Sequence, residues 1–252
     1  AEGRGGASMT RRLVAASGFS FVAFVILVGL GAWQMQRLHW KEDLIARMEK
    51  QAKADPVELN DALVHWGERG EAEYLRVHVQ GTFLHDKELH LYDIRDGAPG
   101  WRIITPLDTD DAQIVLVDRG FVPDRLKDPA ARAQGQVGGE VSLTGAVRAP
   151  ASEQGQFTPD NEPAANIWYW RDLERMAESA LDPEQRTSLV PFFVEMRDPA
   201  PPGGWPRPHV AVPRLSNRHL EYALTWFGLA AVLVVMYVLF LRANLKRDSG
   251  QP

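Results

Sequence analysis

His219 is the residue best placed to do chemistry. It stands where a polar stretch gives way to a long apolar run, in Ser216-Asn217-Arg218-His219-Leu220. Ser216 or Asn217 can cap the helix that follows, which puts His219 in its first turn. Tyr222 and Trp226 come three and seven residues later, so an imidazole, a phenol and an indole share one helical face. A neutral imidazole nitrogen is a good axial ligand for haem iron, which makes His219 the candidate metal ligand. The flanking rings of Tyr222 and Trp226 would pack against the porphyrin. The same three side chains also read as an interfacial cluster that bonds headgroups or a neighbouring helix, and spacing alone leaves both readings open.

Arg37 and Lys41, one helical turn apart and beside Trp33 and Trp40, are the complementary feature near the other end of the chain. They are candidates to hold carboxylates such as haem propionates, although snorkelling to lipid phosphates explains them as well. Other groupings carry less. His85, Asp86 and His90 invite a metal site, but read as part of a strand the two histidines point to opposite faces. Asp108, Asp110 and Asp111 lack the glycine and distal glutamate of a calcium loop and read as a solvated turn. Asp118-Arg119-Gly120, at the end of the most apolar strand, is either an anion site or, as we favour, a structural ion pair closing a turn. No nucleophile elbow, phosphate loop, dinucleotide fingerprint or metalloprotease helix is present, so the expectation is a protein that is not an enzyme. The chain has no cysteine, which excludes disulfides, thiolate metal sites and thiol redox chemistry. A net charge of -5 without a basic tract gives no reason to expect nucleic acid as a partner.

The elements that must position these residues are dominated by two uncharged runs, Leu13 to Trp33 and Tyr222 to Leu241. About 20 helical residues cover the roughly 30 Å hydrocarbon core of a bilayer, and a helix satisfies its own backbone there. Basic Arg11 and Arg12 precede the first run, as in a signal peptide. The run nevertheless exceeds the usual apolar region of about 7–15 residues, and Trp33-Gln34-Met35-Gln36-Arg37 replaces a small-residue cleavage site, so an uncleaved anchor is expected. The inner flanks carry Arg37, Lys41, Arg47, Arg214 and Arg218, and the tails Arg11, Arg12, Arg242, Lys246 and Arg247. Because short tails obey the positive-inside rule and long loops translocate regardless of charge, both tails are assigned to the cytoplasm. The expected organisation is a tail (1–11), a first span (12–34), an outer α+β domain (35–216), a second span (217–241) and a tail (242–252). Gly29, Gly31 and Ala32 would let the two helices approach closely at Ala223 or Gly228.

Helical periodicity continues past the first span through Trp33, Arg37, Trp40, Leu44, Ile45 and Met48, ending near Asp55-Pro56. From Tyr74 the period becomes two, with Gly81 as a break. Further strands are predicted at Glu88 to Asp93, Trp101 to Leu107, Gln113 to Asp118, Val141 to Val147 and Leu189 to Met196, with turn-rich stretches such as Arg95 to Gly100 between them. A hairpin at Asp108 to Asp111 implies a largely antiparallel sheet, and a curved, partly barrel-like form is expected of it. Asn166 to Ala180 reads as an amphipathic helix with Ile167, Trp170, Leu173 and Ala177 on one side. Pro199 to Pro213 reads as a surface linker.

In this order, between two terminal spans, these residues resemble the surfeit locus protein 1 family of cytochrome c oxidase assembly factors. The resemblance rests on Leu30-Gly31-Ala32-Trp33-Gln34 with Arg37 and Trp40-Lys41, on Val79-Gln80-Gly81-Thr82-Phe83, on Gly100-Trp101 with Thr105-Pro106-Leu107, on Val115 to Pro123, and on Asn217 to Trp226. It implies a non-enzymatic role in inserting haem a into the large oxidase subunit, with haem a bound transiently through His219 and with haem a synthase, the oxidase subunit and membrane lipid as partners. The arginine-rich transit sequence of mitochondrial members is absent, which favours a bacterial inner membrane, with the central domain periplasmic.

Overall fold

The structure, a computed structural model, describes residues 3–69, 72–208 and 217–248. Its elements run α1 (Gly3–Lys53), β1 (Val57–Glu58), α2 (Leu59–Arg69), β2 (Arg76–Phe83), β3 (Leu89–Arg95), β4 (Ala98–Thr109), β5 (Ile114–Pro123), β6 (Glu140–Arg148), α3 (Leu173–Ala180), α4 (Pro183–Arg186), β7 (Leu189–Asp198) and α5 (His219–Asp248). The chain divides into Ala1–Arg47 with Arg214–Pro252, and Met48–Pro213. Arg214, Ser216, linker residues 209–213 and the side chains of Arg11, Arg12, Lys246 and Arg247 lie outside the described residues.

The first unit is a pair of helices. Leu13–Gln51 and His219–Asn244 are each long and apolar enough to cross a membrane, and Phe19, Phe21, Val25, Val235 and Leu239 are exposed on them, as lipid-facing side chains are. α1 continues beyond its apolar run to Lys53, as the periodicity predicts. The helices meet over small residues: Ala223 and Ala230 are buried, and a Cβ added to Gly31 would fall 2.6 Å from the Phe227 ring. Of the other glycines proposed for this contact, Gly29 and Gly228 face nothing within 4 Å and take no part in it. Ser17 and Tyr237 join the pair further along through a 2.6 Å hydroxyl–hydroxyl bond.

In the central domain, β2, β6, β7, β5 and β4 close on themselves through a second pairing of β2 with β4, forming a five-stranded barrel. β1 is added beside β2 and β3 beside β4. The expected largely antiparallel, barrel-like sheet holds, with β1–β2 and β5–β7 as parallel exceptions. Period-two alternation explains the packing. Val115 and Val117 of β5 join Val77, Leu143 and Val194 in the barrel core, which α2 closes with Leu59 and Ala62. Leu116 and Phe193 face the opposite way and pack under Trp168, Leu173 and Met176. β5 is therefore buried on both faces, which is why it reads as a continuous apolar run.

Several sequence expectations need correction. The strand expected from Tyr74 begins at Arg76, because Tyr74 is buried with a positive φ of 65°. Gly81 does not break β2. It pairs with Val141 and Thr109 at once, and a Cβ there would lie 2.2 Å from the Asp108 carbonyl oxygen, so glycine is what lets the barrel close. The turn-rich stretch Arg95 to Gly100 shrinks to Asp96-Gly97, both at positive φ, in a tight two-residue hairpin. The helix expected over Asn166 to Ala180 starts only at Leu173, where Asp172 caps it by accepting from Arg175 N. Asn166 adopts a left-handed conformation, and Trp168 exchanges backbone bonds with β3. Ile167 and Trp170 therefore lie off that helix, and Ile167 packs against Trp101 and Val122 instead. Helix α2 is an addition to the elements that the sequence predicts.

Candidate functional site

At the start of α5, His219 Nδ1 lies 2.7 Å from Gln34 Oε1 on α1. An amide oxygen only accepts, so Nδ1 carries a proton and, in the neutral imidazole, Nε2 keeps its lone pair. Nε2 has no hydrogen-bond partner among the described residues. The cap expected from Asn217 is absent, because its Oδ1 finds no partner among the described residues. Arg218 instead pairs with Glu221 at 3.1 Å, in the first turn.

The other predicted residues lie on the same two helices within about two turns of this bond. Tyr222 is 53% exposed and Trp33 is 55% exposed, so both rings are open to an apolar partner; Trp226 is half-buried. Arg37 is exposed, with its guanidinium 4.0 Å over the Trp40 ring. The structure thus joins the starts of the two predicted features through Gln34, a residue the sequence reading did not single out. A glutamine in a run of Trp, Met and Arg gives no signal until its partner is known.

Asp118, Arg119 and Gly120 lie within β5 rather than at its end, and neighbours on a strand face opposite ways, so the expected Asp118–Arg119 pair does not form. Asp118 faces Arg102 Nε at 2.5 Å and Arg171 Nη2 at 3.0 Å. Glu195 stands beside it in the parallel β5–β7 register and accepts from Arg171 Nη2 at 2.7 Å. Burial opposes ionisation of Asp118, yet Arg102 and Arg171 hold its carboxyl below the usual carboxylate range.

Residues 21–231, which run from inside the first apolar span to inside the second, match the profile of the SURF1 family. The SURF1-like protein of Monosiga brevicollis is 36% identical over 240 residues, covering 90% of this chain and 87% of that protein. Surfeit locus protein 1 of Homo sapiens is 35% identical over 249 residues, covering 89% and 79%. The SURF1-like protein of Drosophila melanogaster is 38% identical over 229 residues, covering 81% and 70%. The chain belongs to the SURF1 family.

In this SURF1 family member Arg119 points to the other side of β5, where it is 2% exposed. It donates to the Gly135 carbonyl, and its Nη1 lies 3.2 Å from Gln136 Oε1 and 3.3 Å from His85 Nδ1. His85 sits in a 3-10 turn (His85–Lys87), not on a strand, so the opposite-faces reason against a metal there falls away. Geometry gives a different one. Arg119 can only donate to Nδ1, and the Val137 carbonyl, 2.8 Å from Nε2, can only accept, so both ring nitrogens are committed. His90 Nε2 is 2.8 Å from Glu88 Oε1, and Glu88 in turn is paired to Arg132.

Burial lowers the His85 pKa below its ordinary value, outweighing the opposing pull of the Val137 carbonyl, and Arg119 lowers it further. Its contribution to stability is complete above the unfolded value of about 6.5 and is lost as pH falls from there toward the folded pKa. The urea midpoint of the wild type relative to His85→Asn is expected to drop between about pH 7 and about pH 5.5. A difference that does not change with pH would remove His85 from the account.

Proposed function

We propose that this chain is an assembly factor for haem-copper cytochrome c oxidase that binds haem a through His219 and aids its insertion into the large oxidase subunit, without catalysing a reaction itself. Membership of the SURF1 family supports the assembly role. The observation that carries the haem part is the His219–Gln34 bond: it selects the tautomer whose Nε2 is free to ligate, and it does so beside exposed aromatic rings. One nitrogen ligand, flanking rings of Trp33, Tyr222 and Trp226, and the Arg37 guanidinium for a propionate fit a porphyrin that must be released again. When bound, haem would supply an iron in need of one axial nitrogen; the chain's own part is to hold and later give up that cargo. In this reading the tails are cytoplasmic and the central domain lies on the periplasmic side of a bacterial inner membrane, where the large oxidase subunit, haem a synthase and lipid are its partners.

The test is the visible spectrum of the full chain purified in detergent from cells that make haem a. A Soret band with the pyridine haemochrome of haem a supports the reading. A haem-free protein on which oxidase assembly still depends would leave a cofactor-free membrane scaffold in its place.

A further inference from the structure

A cleft of about 510 Å³ opens in the central domain over the acidic pair Asp118 and Glu195, bounded by β3, the end of β6 and residues 169–171. That volume lies within the roughly 300–1,000 Å³ of small-molecule sites. Three arginines meet there, and the division of exposure decides what a visitor meets. The Asp118 and Glu195 side chains are 0% and 3% exposed, whereas those of Arg102, Arg148 and Arg171 keep 12%, 17% and 19%. The carboxylates thus pin the guanidiniums from below, with Glu73 3.1 Å from Arg148 Nη1 as well, and the cleft presents the cationic edges alongside Asp93 and Glu195, which also line it. Two buried donors on its wall, Arg171 Nε and Trp170 Nε1, have no acceptor among the described residues. Glu195 Oε2 also lacks a partner. Burial first, and then Asp118, push the Glu195 carboxyl up. The rest of the wall is aromatic, with the Tyr92 and Tyr169 rings 5.9 Å apart.

We propose that this cleft binds a small organic carboxylate with a flat apolar body, its anionic group held by Arg148 and Arg171 and its body lodged among Tyr92, Tyr169 and Trp170. The charge-bearing edges select an anion, the unfilled donors ask for an acceptor, and the rings select a planar hydrocarbon body. The site is independent of His219 and of the haem reading.

Benzoate is the probe and benzyl alcohol its uncharged control, with binding to the full chain in detergent followed by saturation-transfer NMR and empty micelles subtracted. Arg171→Gln removes one clamp. Ala151→Trp crowds the exposed mouth without touching the ion pairs, so it reports on the cleft even where Arg171→Gln unfolds. Saturable benzoate binding, weakened by about tenfold or more in Ala151→Trp and absent for benzyl alcohol, is expected. No saturable benzoate binding, equal binding of benzyl alcohol, or wild-type affinity in Ala151→Trp would overturn the site and leave the arginines a purely structural cluster.

Discussion

Purified from cells that make haem a, the His219→Ala variant is expected to lose nearly all of its Soret absorbance, while His78→Ala keeps it. The control is apt because His78 is committed elsewhere: its Nε2 lies 2.8 Å from Ser142 Oγ on the barrel. Gln34→Ala is the more discriminating variant, since it leaves the ligand in place and removes only the acceptor that holds Nδ1 protonated. Loss of such an outer partner lowers metal affinity by about 10–100-fold, which is about 1.4–2.7 kcal/mol. Gln34→Ala should therefore be purified with partial haem that washes out on dilution, and Gln34→Glu, which keeps an acceptor, should retain more. Wild-type haem content in His219→Ala would move the ligand to another residue. Full haem content in Gln34→Ala would reduce the bond to helix pairing.

The resemblance and the hydropathy lead to the correct family and to both membrane-length helices, and period-two alternation from Tyr74, with apolar runs set between turn-rich stretches, leads to all six long strands of the central domain. These succeed because each depends on a residue's own neighbours in sequence. Failures fall where a partner distant in sequence decides. The stretch Asn166 to Trp170 has helical spacing, but β3 offers Trp168 a backbone partner and the Trp168 ring a buried seat, and that outweighs local propensity. Gly81 looks like a stop until β4 is seen arriving on its other side. Gln34 and Arg171 are invisible for the same reason: nothing near Gln34 announces His219, 185 residues away, and Arg171 meets Asp118 across a separation of 53. Asp118 stands out in the sequence beside Arg119, yet its partners are Arg102 and Arg171, because a strand turns adjacent side chains away from each other.

That misassigned aspartate carries the largest stability effect expected of the central domain. Asp118 is a fully buried carboxylate bonded by Arg102, Arg171 and the Gly120 amide. The acid thereby ties β4 and the segment leading into α3 to the middle of β5. Asp118→Ala leaves Arg102 and Arg171 to share Glu195, which Arg148 also approaches. Breaking a buried pair leaves these largely buried guanidiniums short of a counter-charge, a loss of about 3–5 kcal/mol, a large share of the roughly 5–15 kcal/mol that holds an ordinary domain folded. Asp118→Asn keeps an acceptor of the same shape and should cost less, so the gap between the two variants measures the acceptor bonds apart from the charge. The exposed Lys53–Glu49 pair, 3.2 Å apart, supplies the contrast: Glu49→Ala should stay within about 0.5 kcal/mol of the wild type. Chemical unfolding of the full chain, followed by near-ultraviolet circular dichroism, reads all three. A shift for Asp118→Ala no larger than that for Glu49→Ala would mean that the buried network relaxes around the gap. The cleft above it would then be plastic rather than preorganised, and the arginines could not hold a ligand in one place.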